Sequence, residues 1–378
     1  MTAGAAEVIG RLVLEDRVEP GRLIIADGHI VRVDLDPVDP TIPRRRPALV
    51  CPGFVDVHVH GWGGHDAMGD RAALDGMALA LASRGVTSFL PTAVTAPLDD
   101  LARFADGVRG WRPNAPSNGA QPLGFNLEGP FLAPARRGAH DPNNLRRPVD
   151  VSPKDLEPLL DGLRLLTIAP ELPGALELVG WLSTMGVAVS LGHSGATLAE
   201  ARAGYAAGAS STTHLFNAMS GMDHRSPGLA AAALLQDEAY VELIADDHHV
   251  EPALWQLVMR AKPEHRLVLV SDAIALAGTG IQRGRIGSLE VEVDGSRVTL
   301  AGTTTLAGSV LSLDVAVRNL VGSGASLPYA AKAASRNPLA LLGIADRGRL
   351  AAGLRADLVE LDDDLRVRRV MIGGRWLD

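Results

Sequence analysis

From Val50 onward the chain alternates short β-branched or apolar runs with Ala/Leu-rich stretches of helical pattern, and this alternation limits its fold more than any other feature. Strand-like runs fall at 55–60, 85–91, 123–127, 163–168, 187–191, 211–213, 240–245 and 266–270. Helical patterns near 71–83, 98–108, 176–185, 198–207 and 252–260 separate them. Strands alternating with helices build parallel βαβ units. Eight such units suggest an α/β fold of the (β/α)8 TIM-barrel type, which typically takes ~250 residues. A doubly wound sheet is the alternative, and the polar residues decide between the two. Glu128, His193, His214, His249 and Asp272 each stand at the C-terminal end of a strand-like run. In a barrel those ends converge on one mouth; an open sheet spreads them along an edge.

The chain has 378 residues, more than a barrel needs. The surplus lies at the two ends. Apolar runs between 7 and 34 flank Asp27-Gly28, a hairpin turn signal. The runs 357–361 and 367–372 precede a Gly373-Gly374 turn. We expect residues 1–50 and 348–378 to form a small β-sandwich domain flanking a barrel at 51–347. Residues 36–47, with Arg44, Arg45 and Arg46 among prolines, read as a connector. Residues 281–300 read as a hairpin inserted after the eighth strand, and 311–321 and 329–334 as helices.

Composition narrows the function. Net charge is −8, and Arg44–Arg46 is the one short basic tract, which argues against nucleic-acid or membrane-surface binding. No apolar run has the length of a membrane span, and Met1–Gly10 lacks a basic-then-apolar leader. Cys51 is the only cysteine, so no intrachain disulfide forms, and the expected location is cytoplasmic. Cys51 itself reads as buried packing rather than a nucleophile.

The chemistry concentrates in Val55-Asp56-Val57-His58-Val59-His60. Residues two apart on a strand point the same way, so His58 and His60 lie side by side on one face. Two neighbouring imidazoles on a rigid strand can hold one metal ion. With Glu128, His193, His214 and Asp272 they give four imidazoles and two carboxylates, a set suited to Zn²⁺, Fe²⁺, Mn²⁺ or Co²⁺. Each residue alone has an ordinary reading: a buried His193, an Asp272 that caps the next segment, a solvated Glu128. Six at the same topological place in one barrel argue for metal.

Pro52-Gly53-Phe54-Val55-Asp56-Val57-His58-Val59-His60-Gly61 resembles the first-strand motif of the amidohydrolase superfamily, and Gly348–Val359 resembles its return into the flanking sheet. Within that superfamily the chain is most similar to the N-acetylglucosamine-6-phosphate deacetylase family. The stretches that carry the likeness are Leu127-Glu128-Gly129-Pro130-Phe131, Gly138-Ala139-His140, Ile168-Ala169-Pro170-Glu171, Gly192-His193-Ser194, Thr213-His214-Leu215-Phe216-Asn217-Ala218-Met219, Pro227-Gly228-Leu229 and Val270-Ser271-Asp272-Ala273. The chain's three lysines, Lys154, Lys262 and Lys332, all lie away from the strand ends, so a carboxylated-lysine bridge is not expected and Glu128 takes its place.

The resemblance implies one metal on Glu128, His193 and His214. It implies a second on His58 and His60, with Glu128 shared and Asp272 nearby. Two divalent ions per subunit are therefore expected. It further implies hydrolysis of the acetamide of N-acetylglucosamine 6-phosphate. Asp272 then acts as general base and acid, and His140 stabilises the oxyanion. His140, Asn217, Ala218, Arg225 and His249 are the expected substrate contacts. A homodimer is implied, with part of the phosphate site supplied by a second subunit. The competing readings are another amidohydrolase, of the acyl-amino-acid deacylase or dihydroorotase kind, and a non-catalytic sugar-phosphate-binding barrel. His29, His65, His224, His248 and His265 receive no role. Asp247 stands where the family commonly has glycine, which points to a local change in that loop.

Overall fold

The computed structural model describes residues 6–35 and 48–377, so the connector expected at 36–47, with its arginine triplet, lies outside the described residues. The chain opens with an antiparallel meander of β1 (Ala6–Val13), β2 (Val18–Ala26) and β3 (His29–Leu35). Asp27 and Gly28 join β2 to β3 with φ of 51° and 77°. Positive φ at both central residues is the geometry that matches the strand twist in a two-residue hairpin. β4 (Leu49–Pro52) then pairs in parallel with β1 and passes through Gly53 into the barrel.

Eight parallel strands follow: β5 (Phe54–Val59), β6 (Val86–Ala93), β7 (Phe125–Glu128), β8 (Leu163–Ile168), β9 (Ala188–Leu191), β10 (Ser211–Thr212), β11 (Tyr240–Leu243) and β12 (Leu267–Leu269). Each pairs with the next. The ring closes between its last and first strands just beyond their ends. The Asp272 amide donates to the His58 carbonyl at 2.9 Å, and the His60 amide donates to the Ala273 carbonyl at 2.8 Å. The seam is thus stitched by the backbone of the residues expected to hold metal. A doubly wound open sheet is excluded.

Around the ring lie α1 (Arg71–Ala82), α2 (Leu98–Trp111), α3 (Pro153–Leu160), α4 (Ala175–Thr184), α5 (Leu198–Ala206), α6 (Leu229–Leu235), α7 (Pro252–Ala261), α8 (Leu313–Gly322), α9 (Leu327–Ala333) and α10 (Arg336–Leu341). α1 shows why such segments form. Asp70 caps its first turn by accepting from the Ala73 amide, and Leu74, Met77, Ala78 and Leu81 recur at helical spacing on its buried face. α6 and α10 escape the sequence reading for identifiable reasons. α6 is buried nearly all round and has no amphipathic period. α10 is short and contains Pro338. Among the described residues no helix is long and apolar enough to cross a membrane.

After β12 the expected hairpin proves to be a three-stranded meander, β13 (Arg283–Ile286), β14 (Leu289–Asp294) and β15 (Arg297–Leu300). Its first strand, Arg-Gly-Arg-Ile, is too short and too charged to register as β in the sequence. The chain returns through β16 (Leu358–Leu361), β17 (Val367–Ile372) and β18 (Arg375–Trp376). These join the N-terminal strands in one sheet, ordered β18-β17-β16-β4-β1-β2-β3. The sheet curls so that its far edge meets the approach to β16: Ile30 donates to the Leu354 carbonyl, and Ala356 to that of Gly28. Leu12, Leu23, Ile25, Ile30, Val50, Leu358 and Met371 fill the curl. Cys51, on β4, is fully buried, and burial pushes its thiol up to about 12.

Candidate metal centre

Inside the barrel the side chains two apart on β5 all face the axis, and the layer below the mouth is polar. Asn126 donates to the Val57 carbonyl at 3.1 Å, and Thr167, Thr213 and Ser190 form a hydroxyl chain with steps of 2.8 and 2.7 Å. Above this layer the histidines converge on Glu128. Its Oε1 lies 2.9 Å from Nε2 of His193, 2.9 Å from Nε2 of His214 and 3.5 Å from Nε2 of His58. Its Oε2 lies 3.1 Å from Nε2 of His60 and 3.2 Å from Nε2 of His140. Asp272 Oδ1 stands 3.2 Å from His60 Nε2 and 3.7 Å from His58 Nε2. All seven side chains are buried.

Backbone conformation aims them. His193, His214 and Asp272 have φ of 47°, 28° and 50°, in the left-handed region that costs a residue with a side chain about 1–2 kcal/mol. Each is a turn directly after a strand, which swings the side chain across the barrel mouth. Strain of this kind concentrates at functional sites. Gly129 follows Glu128 at φ 96°, where a Cβ would lie 2.1 Å from Thr95 Oγ1. A glycine directly after Glu128 is therefore required by space as well as by backbone angle.

Hydrogen bonds on the far side of each ring assign the protons. A carbonyl oxygen only accepts. Nδ1 of His60, at 3.1 Å from the Thr92 carbonyl, and Nδ1 of His193, at 2.9 Å from the Arg136 carbonyl, therefore each carry hydrogen. Their Nε2 atoms point toward the centre and are the atoms that could ligate a cation there. His140 is the reverse. Its Nδ1 accepts from the Thr95 amide at 3.2 Å, and burial holds its pKa down at about 4, so the neutral ring carries its one hydrogen on Nε2. His140 thus faces the centre as a hydrogen-bond donor, although Glu128, His140 and His193 lie close enough to bracket an ion by distance alone.

These donors fit a divalent cation. Nε2 of His193 and Nε2 of His214 are 3.0 Å apart, close enough to share one proton or to face one cation together. With Glu128 Oε1 they form a triangle of 2.9, 2.9 and 3.0 Å edges. Tetrahedral ligands at 2.0–2.1 Å from an ion are separated by ~3.3 Å, so only a slight spreading is needed. His58, His60, Glu128 and Asp272 form a second group. His58 Nε2 is buried with no hydrogen-bond partner, an orphaned polar atom that a cation would satisfy. The electrostatics agree. Burial opposes charge on His60, yet Asp272 and Glu128 outweigh it and lift the ring to about 9. Burial pushes Glu128 and Asp272 up, but the imidazoles packed around them hold both below the usual carboxylate range.

A cavity of about 290 Å³ opens over the cluster, and its lining includes His140, Asn217, Ala218, His249 and Asp272. The meander β13–β15 and the loop after it wall one side through Ile286, Thr305 and Leu306. His249 is fixed by a 2.7 Å contact from Nδ1 to Asp246, which sequence reading passed over. Burial opposes the charge on His249, but Asp246 outweighs it and raises its pKa. Asp247 adopts φ of 67°, which explains why glycine suits that place. Arg225 does not line this cavity. It lies on an exposed loop whose base is pinned by the Met222–Pro227 bridge. His65 packs against Gly76 of α1, His248 bonds Ser296 of the meander at 2.7 Å, and His29 caps its own turn. The largest omission of the sequence reading is Glu242 on β11. It is fully buried, with Oε2 3.0 Å from His58 Nδ1 and 3.2 Å from the His214 amide.

The family model for the amidohydrolase family matches residues 49–377. The chain belongs to that family. It is 40% identical to the N-acetylgalactosamine-6-phosphate deacetylase of Escherichia coli O157:H7, over 97% of each chain. It is also 40% identical to the N-acetylglucosamine-6-phosphate deacetylase of Bos taurus, over 86% of this chain and 82% of that one. Among solved structures, an aspartate-to-alanine variant of the Mycobacterium smegmatis N-acetyl-D-glucosamine-6-phosphate deacetylase, in complex with N-acetyl-D-glucosamine-6-phosphate, superposes with a TM-score of 0.92. The identity there is 34%, over 99% of this chain and 100% of that one. As an amidohydrolase, the chain is a metal-dependent hydrolase whose barrel carries a His/Glu/Asp metal-binding cluster.

Proposed function

We propose that this amidohydrolase removes the acetyl group of N-acetylglucosamine 6-phosphate, giving glucosamine 6-phosphate and acetate in amino-sugar catabolism. The observation that carries the reading is the convergence of four imidazoles and Asp272 on Glu128, beneath a cavity into which His140 turns an N–H. The names of the similar deacetylases supply the substrate class. Glu128, His193 and His214 would hold one divalent ion, and His58 and His60 with Glu128 would hold a second. Bound there, such ions would supply Lewis acidity toward water and the amide carbonyl.

The remaining work falls to this chain's residues. Asp272 is ionised at neutral pH. It accepts the proton of the attacking water and passes it to the amide nitrogen, so that the leaving group departs as an amine. The Nε2–H of His140 donates to the carbonyl oxygen as negative charge grows on it. Asn217 and Ala218 border the sugar, and His249, whose hold on a proton Asp246 strengthens, suits an anionic partner. Arg225 offers the planar fork that phosphate prefers, but from an exposed loop. That position supports a homodimer in which each subunit's Arg225 reaches the other's site. A cytoplasmic location and the division into a barrel at 51–347 and a terminal domain belong to the same reading.

A second reading, the C4 epimer N-acetylgalactosamine 6-phosphate, is favoured by the 40% relative that covers nearly the whole chain. Acetate release measured on both phosphorylated sugars and on free N-acetylglucosamine separates these cases. The proposal expects the highest kcat/KM on N-acetylglucosamine 6-phosphate. Preference for the galacto epimer selects the second reading, and no release from either phosphate defeats both.

A further inference from the structure

Glu242 lies outside every expected ligand set, yet it touches both halves of the cluster. One carboxylate oxygen accepts from His58 Nδ1 at 3.0 Å and from the His214 amide at 3.2 Å. The other, Oε1, is buried with no hydrogen-bond partner. An ionised carboxylate in a barrel interior is costly unless positive charge balances it. No Lys or Arg is paired with Glu242 among the described residues, so the balance has to come through the imidazole it holds. Because a carboxylate only accepts, His58 Nδ1 carries a hydrogen, and its Nε2 is the atom left facing Glu128 and Asp272, where it could ligate a cation.

Counting charge sharpens the point. Glu128 and Asp272 together carry −2, which one divalent ion neutralises. A second ion would leave +2 in a buried site. Glu242 brings these carboxylates to −3 and halves that excess, while Asp56, the other buried acid beside His58, is pushed up to about 7 by burial and adds only part of a charge. His60, the other member of the H-x-H pair, has only a backbone carbonyl behind its ring. The two histidines are therefore unequal, and the charged partner belongs to His58 alone.

We propose that Glu242 is a positioning residue that sets the occupancy of the second metal site, by fixing the tautomer and orientation of His58 and by supplying the charge that a second ion requires. This rests on the two-metal reading above. Glu242→Gln is nearly isosteric and keeps an oxygen that accepts from His58, so it removes the charge and leaves the packing.

The test is Zn²⁺ binding by the metal-stripped full chain, followed by competition with a chromophoric chelator. Wild type takes two equivalents. Glu242→Gln keeps the first with unchanged affinity and binds the second about 10- to 100-fold more weakly. His58→Ala shows at least the same loss, and Glu242→Gln adds only part of its effect, the part due to charge, in a His58→Ala background. Glu242→Gln binding both ions as wild type does, weakening both in parallel, or adding its full effect in the absence of His58 overturns the inference. A wild type that saturates at one ion overturns the two-metal reading and the inference with it. Normal second-site binding in Glu242→Gln overturns the inference alone.

Discussion

Replacing His140 by alanine separates two roles that distance alone leaves confused. His140 Nε2 lies 3.2 Å from Glu128, as near as His60 does, so proximity would admit it as a ligand. Its hydrogen bonds say otherwise, because the Thr95 amide occupies Nδ1 and leaves the proton on Nε2. Removing one preorganised donor to a developing oxyanion costs about 100- to 1,000-fold in kcat, equivalent to about 2.7–4 kcal/mol. The loss should fall on kcat with KM little changed, because the bond strengthens only as the oxygen becomes anionic. The substitution also strands the buried Thr95 amide, at about 1–3 kcal/mol of stability. Thermal denaturation therefore runs beside the kinetics, and His140→Gln, whose amide can donate, recovers part of the rate. Metal content stays at the wild-type value in both variants. Loss of an ion in proportion to activity would show that His140 is a ligand and that the proton assignment is wrong, and an unchanged kcat would refute its role in the reaction.

Three further outcomes follow from the same geometry. Asp272→Asn keeps the fold and lowers kcat by at least the ~10²–10⁴-fold expected of a positioned acid–base group; near-normal turnover sinks the assignment. Arg225→Ala raises KM for the phosphorylated sugar at least about tenfold, the range of a lost charge-assisted hydrogen bond, and leaves the unphosphorylated sugar nearly unaffected; equal losses on both remove Arg225 from the phosphate site. Asp246→Asn takes away the partner that raises the His249 pKa, so the imidazolium is lost at a lower pH. KM for the phosphorylated sugar then begins to rise at lower pH than in wild type, and an unshifted profile would exclude His249 from anion binding.

The barrel was legible because its strands announce themselves. β5 and β8 are β-branched or leucine-rich runs, and the helices after them carry a clear period or cap. The candidate metal-binding residues were legible because each stands at or close to the C-terminal end of a strand. Glu242 was not, because a single carboxylate in Tyr-Val-Glu-Leu has the look of an outward position on a half-exposed strand. In a barrel, alternate residues point to the axis rather than to solvent, and a polar axis needs acids. Asp246 was hidden behind the more conspicuous Asp247-His248-His249, and only the folded turn brings its carboxylate to His249. The roles of His60 and His140 also look alike in sequence. The difference lies in which backbone group stands behind each ring, the Thr92 carbonyl or the Thr95 amide, and those come from a neighbouring strand and the loop beyond it.

The central claim is that the cluster around Glu128 works only with divalent metal in place. The direct measurement is acetate release from N-acetylglucosamine 6-phosphate by protein stripped with chelator, dialysed free of it, and then titrated with Zn²⁺, Mn²⁺, Fe²⁺ or Co²⁺ under anaerobic conditions. The account predicts no turnover above background in the stripped protein and recovery that tracks bound metal. Stripped protein that releases acetate at the rate of the untreated enzyme would contradict it.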